Sequence, residues 1–79
     1  MKESKQDRLL RFMRKFRMIP TSRVIQWGQD NYYNRAERAA RQLAEDGHIR
    51  RVTTEELLKR FKRVPRESFW TCLKSVKNS

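Results

Sequence analysis

The chain has 79 residues, of which 20 are lysine or arginine and 9 are aspartate or glutamate, so its formal net charge is +11. This length allows one small domain, near the lower limit for a self-sufficient core. The four Phe, two Trp and two Tyr are spread along the chain and exclude a disordered basic tail. The charge favours a polyanionic partner, with nucleic acid first and an anionic membrane surface second.

Several other classes of protein are disfavoured by what the sequence does not contain. The single Cys72 cannot form an intramolecular disulfide, and His48 and Cys72 alone cannot complete a metal site. No apolar run approaches the ~20 residues of a membrane span, and no signal peptide is recognisable. No glycine-rich phosphate loop or nucleophile–histidine pattern is present. We therefore expect a cytoplasmic, nucleoid-associated protein that is not an enzyme and needs no metal or cofactor.

The first predicted helix follows an N-terminal segment, residues 1–6, that we expect to be frayed. It runs over residues 7–17 and ends before Pro20, which lacks an N–H and restricts the residue before it. Its apolar residues recur at helical spacing and are Leu9, Leu10, Phe12, Met13 and Phe16.

A second, short helix is predicted after Pro20. Thr21 or Ser22 can cap its start, and Gly28 is a plausible C-cap. Its buried side consists of Val24, Ile25 and Trp27. Residues 29–31 then form a turn.

The third predicted helix, residues 32–46, carries the most informative pattern, and Gly47 ends it. At about 100° per residue, its small apolar residues fall on one side; these are Ala36, Ala39, Ala40 and Leu43. The opposite side holds Asn34, Arg35, Arg38, Arg41 and Gln42. Such side chains contact base edges and phosphates, although a merely solvated surface helix has the same pattern.

The last third of the chain predicts two strands around a helix. Residues 48–52 alternate as a strand does, and Thr53 with Glu56 fits a capping box that starts a helix over residues 54–62. Residues 67–74 fit either a strand or a helix. We favour the strand because the strand before Thr53 needs a partner and no other segment remains.

The order of these elements resembles a winged helix-turn-helix domain, as found in small bacterial and phage-type DNA-binding proteins. The resemblance rests on RLLRFMRKF, on PTSRVIQWG and above all on RQLAEDGHIRRV, which is similar to a recognition helix running into the first wing strand. It implies a mainly α fold with a small β-hairpin, with three helices as the core and a two-stranded wing that holds an inserted short helix. The domain would span residues 7–74, followed by a C-terminal tail over residues 75–79.

The resemblance further implies a transcriptional regulator or an accessory factor that binds double-stranded DNA, with helix 32–46 in the major groove. The side chains nearest the base edges would be Tyr33, Asn34, Arg35 and Arg38. Phosphate contacts would come from Arg41 and Gln42, and from Thr21, Ser22 and Arg23 at the start of the second helix. The wing would add Arg50, Arg51, Lys62, Arg63 and Arg66.

Alternatives stay open on partners and on single residues. An RNA-binding winged helix and a protein-interaction adaptor are the main rivals, and a homodimer is open although no dimerisation helix is evident. A membrane-surface role for residues 8–19 is disfavoured because the core needs that apolar face. We expect Trp27 and Trp70 in the core. Of Tyr32 and Tyr33, we expect one to pack on the core and one to face DNA.

Overall fold

The computed structural model describes residues 3–73, which fold into a mainly helical domain with a small antiparallel sheet. In chain order the elements are α1 (Lys5–Met13), β1 (Ile19–Pro20), α2 (Thr21–Asp30), α3 (Ala36–Glu45), β2 (Ile49–Arg51), α4 (Thr54–Phe61) and β3 (Phe69–Cys72). The predicted mainly α class with a β-hairpin is confirmed at this level. The predicted tail, residues 75–79, lies outside the described residues.

Helix α1 begins earlier and ends earlier than the predicted range of residues 7–17. The hydroxyl oxygen of Ser4 accepts a hydrogen bond from the N–H of Asp7 at 3.0 Å and caps the helix. Residues 5 and 6, which lie in the segment 1–6 that we expected to be frayed, therefore belong to α1. After Met13, the backbone N–H of Phe16 donates to the Met13 carbonyl at 3.1 Å, which tightens the chain into a turn. This turn brings the Phe16 ring to 5.2 Å from that of Phe12.

Helix α2 runs through Gly28, which was predicted to end it. Its N-cap is Pro20 and has no side-chain cap, so the predicted capping by Thr21 or Ser22 was also wrong. A Cβ at Gly28 would lie 2.5 Å from the Tyr33 carbonyl oxygen and 2.7 Å from the Ala36 Cβ. Gly28 is therefore the point of closest approach between α2 and the start of α3.

Helix α3 keeps the predicted buried face but starts four residues later than predicted, at Ala36. The helix cannot begin at residue 32 because Tyr32 has a φ of +57°, which interrupts right-handed helical geometry. Gly47, with a φ of +85°, follows the helix as predicted. The buried residues of α3 are Ala36, Ala39, Ala40 and Leu43.

The sheet has three strands in the order β1-β3-β2, so the predicted two-stranded hairpin was incomplete. Strand β3 pairs with β2 in the register Ile49↔Cys72 and with β1 in the register Ile19↔Trp70. The preference for a strand within residues 67–74 is confirmed. Strand β1 was missed because two residues, one of them proline, show no alternation.

The core lies between the three helices α1–α3 and the sheet. Its largest fully buried side chains are Leu9, Met13, Ile19, Val24, Leu43 and Ile49. Trp70 is buried with them as predicted, and Trp27 packs against the core while partly exposed. Helix α4 buries only Leu57 and is held at its start by the predicted capping box between Thr53 and Glu56.

We expect Gly28→Ala to destabilise the domain by about 1–3 kcal/mol, because the added methyl group must displace backbone of the α2–α3 turn. This figure is the net change: the steric cost is larger by the roughly 1 kcal/mol that alanine gains over glycine in helix propensity. Urea unfolding followed by circular dichroism measures the change. Gln29→Ala, at an exposed neighbour in α2, is the control and should change stability by less than about 0.5 kcal/mol. Equal stability of both variants would contradict the close approach.

Candidate nucleic-acid interface

Helix α3 presents polar side chains to solvent on the side opposite its buried alanines. Asn34 and Arg35 precede its first turn, and Arg38 follows one turn later; all three are exposed. We call these three residues the α3 entry face. They line a shallow depression of about 300 Å³ together with Glu37 and Arg41. The structure therefore brings together the central part of the site predicted from sequence.

The predicted contacts on α3 differ in whether their donors are already occupied. Arg41 forms an ion pair with Glu37 at 3.1 Å, and the Gln42 amide donates to Asp46 at 3.0 Å. Within residues 3–73, Arg35 and Arg38 have no carboxylate within 4.0 Å. Arg35 and Arg38 thus offer free guanidinium groups, whereas Arg41 and Gln42 would first exchange an intrahelical partner.

The two adjacent tyrosines take opposite positions. The Tyr33 ring packs edge-on against Trp27 with 6.3 Å between ring centroids, and Lys5 Nζ lies 5.5 Å from the Tyr33 centroid. Tyr32 is 89% exposed. The expectation that one tyrosine packs on the core is confirmed, but it is Tyr33, the residue predicted to lie near base edges. Because its ring packs against Trp27, Tyr33 anchors the turn between α2 and α3 to the core.

The start of α2 does not offer the free phosphate site that was predicted there. The Thr21 hydroxyl donates to the Ser68 carbonyl at 2.8 Å and accepts from Trp70 Nε1 at 3.0 Å. The Ser22 N–H donates to the Glu67 carboxylate at 2.8 Å. These groups are therefore satisfied internally, with a carboxylate at the helix start as the helix dipole favours. A phosphate bound here would have to displace these internal partners.

Arg23, the third residue predicted to contact phosphate at the start of α2, is exposed. Its guanidinium carbon lies 5.7 Å from the centroid of the Phe16 ring, a cation–π arrangement. This contact leaves the guanidinium N–H groups at the surface. Arg23 thus differs from Thr21 and Ser22 in keeping donors free for a ligand.

The basic residues of the predicted wing also differ in whether they already have an internal partner. Arg50 forms a bidentate ion pair with Glu56, and both N–O distances are 2.9 Å. The guanidinium of Arg51 lies 5.6 Å from the centre of a Trp70 ring. Lys62 caps the end of α4 with a φ of +61°. Arg63 and Arg66 are exposed. Arg50 is thus engaged in holding α4, and a phosphate would have to replace Glu56 as its partner.

The pKa of Glu56 is lowered from 4.5 to about 2, first by the hydrogen bond from Arg50 and then by those from the Thr53 backbone and hydroxyl. The same pair raises the pKa of Arg50. The Glu56 carboxylate therefore stays charged and fixed between β2 and α4. This arrangement links the end of β2 to the start of α4.

Sequence reasoning missed two cations on α1. The Lys5 ammonium is 3.3 Å from the Tyr32 carbonyl oxygen, and Arg8 Nη2 is 3.4 Å from Asn31 Oδ1. Lys5 was assigned to the frayed segment, and Arg8 was not among the predicted contacts. The spacing of Ser4 and Asp7, which matches an N-cap and its third helical residue, was the signal that places Lys5 on α1.

Comparisons with known proteins do not identify a relative: no protein-family model, curated protein or solved structure matches the chain. Among the described residues, no helix is long and apolar enough to cross a membrane. The same residues contain no group of three or more His, Cys, Asp or Glu placed to hold a metal ion.

We expect Glu56→Gln to be less stable than the natural protein at pH 7, with the difference disappearing as pH falls from 4.5 towards 2. A carboxylate whose pKa is depressed by folding contributes stability above its unfolded pKa, and this is lost as pH falls through the folded pKa. Glutamine can still serve in the capping box, so the variant removes mainly the charge. Thermal unfolding from pH 7 to pH 2 checks this, and a pH-independent difference would contradict it.

Proposed function

We propose that this protein is a winged helix-turn-helix protein that binds double-stranded DNA, serving as a transcriptional regulator or an accessory DNA-binding factor. The observation that carries the proposal is the α3 entry face. Asn34, Arg35 and Arg38 are exposed at the start of α3, and Arg35 and Arg38 have no carboxylate partner within residues 3–73. The net charge of +11 supplies an attraction to phosphate that does not depend on sequence.

The arrangement of elements supports this proposal. A first helix, a pair of helices joined by the turn of residues 31–35, and the β2–β3 hairpin follow in the order of a winged helix. The ten residues of α3 extend about 15 Å. A helix is about 10–12 Å across with its side chains, which fits a major groove about 12 Å wide. The small residues on its inner side keep α3 close to α1 and α2 and leave the polar side accessible.

The chemistry of the entry face suits base recognition. Arginine donates two hydrogen bonds to guanine O6 and N7, and asparagine pairs with adenine N6 and N7. Arg35 and Arg38 are the candidates for guanine, and Asn34 is the candidate for adenine. Each well-formed pair contributes roughly 1–3 kcal/mol of discrimination against the wrong base. The DNA sequence that fits this trio is to be found by selection from random duplexes.

Phosphate contacts would come from exposed cations on either side of α3. On the wing, these are Lys62, Arg63 and Arg66; near α2, Arg23 keeps its donors at the surface. Arg41 joins them where it can exchange Glu37 for a phosphate. If about five phosphates are neutralised, the slope of log affinity against log salt concentration is about −4.5.

We expect the double variant Arg35→Ala/Arg38→Ala to bind the duplex obtained by selection at least tenfold more weakly, with a nearly unchanged salt slope, because both side chains are assigned to bases and not to phosphates. Both guanidinium groups are lost from the helix that would lie in the groove. Fluorescence anisotropy at a series of salt concentrations measures affinity and slope together. Matched single-stranded RNA is titrated in parallel.

The control variant is Arg14→Ala/Lys15→Ala, which removes the same charge just beyond the opposite end of α1 from Lys5. Its salt slope should match that of the natural protein, because these side chains release no counterions from bound DNA. Equal losses in both variants would mean that only overall charge matters. Stronger binding to RNA would favour the RNA-binding alternative, and absence of nucleic-acid binding would favour a protein-interaction adaptor.

A further inference from the structure

Tyr32 combines two features that the fold does not explain. Its side chain is 89% exposed, and its backbone φ is +57°. A positive φ is strained for a bulky residue because its Cβ approaches the carbonyl oxygen, whereas glycine adopts it freely. A turn at this position therefore forms more easily with glycine or asparagine than with tyrosine.

The domain gains nothing from the Tyr32 ring among the residues that the structure describes. The ring makes no aromatic contact there, and Tyr33 is the tyrosine that packs on Trp27. The backbone of Tyr32 is held through its N–H, which donates to Gln29 at 3.3 Å, and through its carbonyl, which accepts from Lys5. The fold therefore holds the backbone of Tyr32 in place while the residue stays exposed.

Two cations of α1 contact the turn that carries this ring. Lys5 Nζ is 3.3 Å from the Tyr32 carbonyl oxygen, and Arg8 hydrogen bonds the side chain of the preceding Asn31. Within residues 3–73 neither cation has a carboxylate within 4.0 Å. We call Lys5, Arg8 and Tyr32 the Tyr32 corner. It combines an exposed aromatic ring with two positive charges at the surface.

The Tyr32 corner also adjoins the α3 entry face, because Tyr32 lies two residues before Asn34 in the turn that leads into α3. A helix that enters a groove N-terminus first brings the preceding turn against the sugar–phosphate strand that borders the groove. Tyrosine and lysine are among the side chains that contact phosphate and sugar there. Stacked bases inside a duplex are not accessible to a ring at that position.

We propose that the Tyr32 corner binds the sugar–phosphate backbone of the same DNA duplex whose major groove receives α3. The Tyr32 ring packs on a deoxyribose, its hydroxyl donates to a phosphate oxygen, and Lys5 and Arg8 neutralise the flanking phosphates. This proposal rests on the proposed function and adds a site that the sequence did not predict. The strained backbone of Tyr32 is then the means by which the ring is held outward for this contact.

The test compares stability and binding in the same variant. Tyr32→Gly is expected to leave Tm unchanged or higher, because glycine relieves the positive-φ strain and this offsets its greater freedom in the unfolded chain. Its affinity for a random-sequence duplex is expected to fall about tenfold, because the packing on the deoxyribose and the hydrogen bond to phosphate are both lost. Tyr32→Phe keeps the ring and should lose only part of this affinity.

A second variant examines the two cations. Lys5→Ala/Arg8→Ala should make the salt slope of duplex binding shallower by about 2, while Arg14→Ala/Lys15→Ala leaves the slope unchanged. Duplex binding by Tyr32→Gly equal to that of the natural protein overturns this proposal and leaves the proposed function standing. A clear fall in Tm for Tyr32→Gly overturns it too, because the ring would then stabilise the fold. Failure of the natural protein to bind duplex overturns both.

Discussion

The approach of α2 to α3 at Gly28 is the constraint on which the exposed surface depends. The N–H of Tyr33 donates to the Gly28 carbonyl at 2.6 Å, and Ala36 fits against the bare face of Gly28. With the two helices this close, the turn between them is short, and Tyr32 takes a positive φ. The Tyr33 ring then turns inward onto Trp27, and Asn34 and Arg35 are carried to the surface. The absence of a side chain at Gly28 thus determines where the turn places the next residues, which are Tyr32, Tyr33, Asn34 and Arg35.

The carboxylates decide which of the many cations stay available. Glu56 holds Arg50 while capping α4, Glu37 holds Arg41 along α3, and Glu67 occupies the start of α2. These contacts are exposed, so each contributes little to stability, but they orient side chains. Within residues 3–73, the cations left without a carboxylate include Arg35 and Arg38 on α3 and Lys5 and Arg8 on α1. A polyanion bound on this side would also relieve the self-repulsion of a chain carrying +11.

The parts of the fold that could be predicted from sequence are those with a local physical signal. The buried stripe of α3, the Thr53–Glu56 capping box and the β2–β3 pairing each follow from periodicity, hydrogen-bonding chemistry or the need for a partner strand. The role of Gly28 was misread because a glycine near a helix end resembles a C-cap. Its close contact with Ala36 is tertiary and leaves no trace in local spacing.

The same distinction holds for the candidate site. Residue type and helical spacing placed Arg35 and Arg38 on one exposed face, and the structure has them there. Spacing could not show that Thr21 would bond Trp70, because the two residues are 49 positions apart in the chain. Nor could it assign the two tyrosines, since the choice between inward and outward rings depends on the backbone conformation of Tyr32. Long-range hydrogen bonds and turn geometry therefore account for most of the differences between the predicted site and the observed one.

Strand β3 connects the start of α2 to the end of α3 through the sheet. It pairs with β1 at the entrance to α2 and with β2 at the end of α3, so the sheet connects both ends of the helix pair. The Thr21 hydroxyl reinforces this connection, because it bonds both Trp70 and the Ser68 carbonyl.

A change in the tilt of α2 would therefore have to break contacts with β3, and with them the packing of the β2–β3 hairpin. The α3 entry face and the basic residues around α4 are thus carried on one connected frame. In the proposed DNA complex, contacts in the groove and on the wing would not adjust independently, and the spacing between them would be part of what selects the bound DNA.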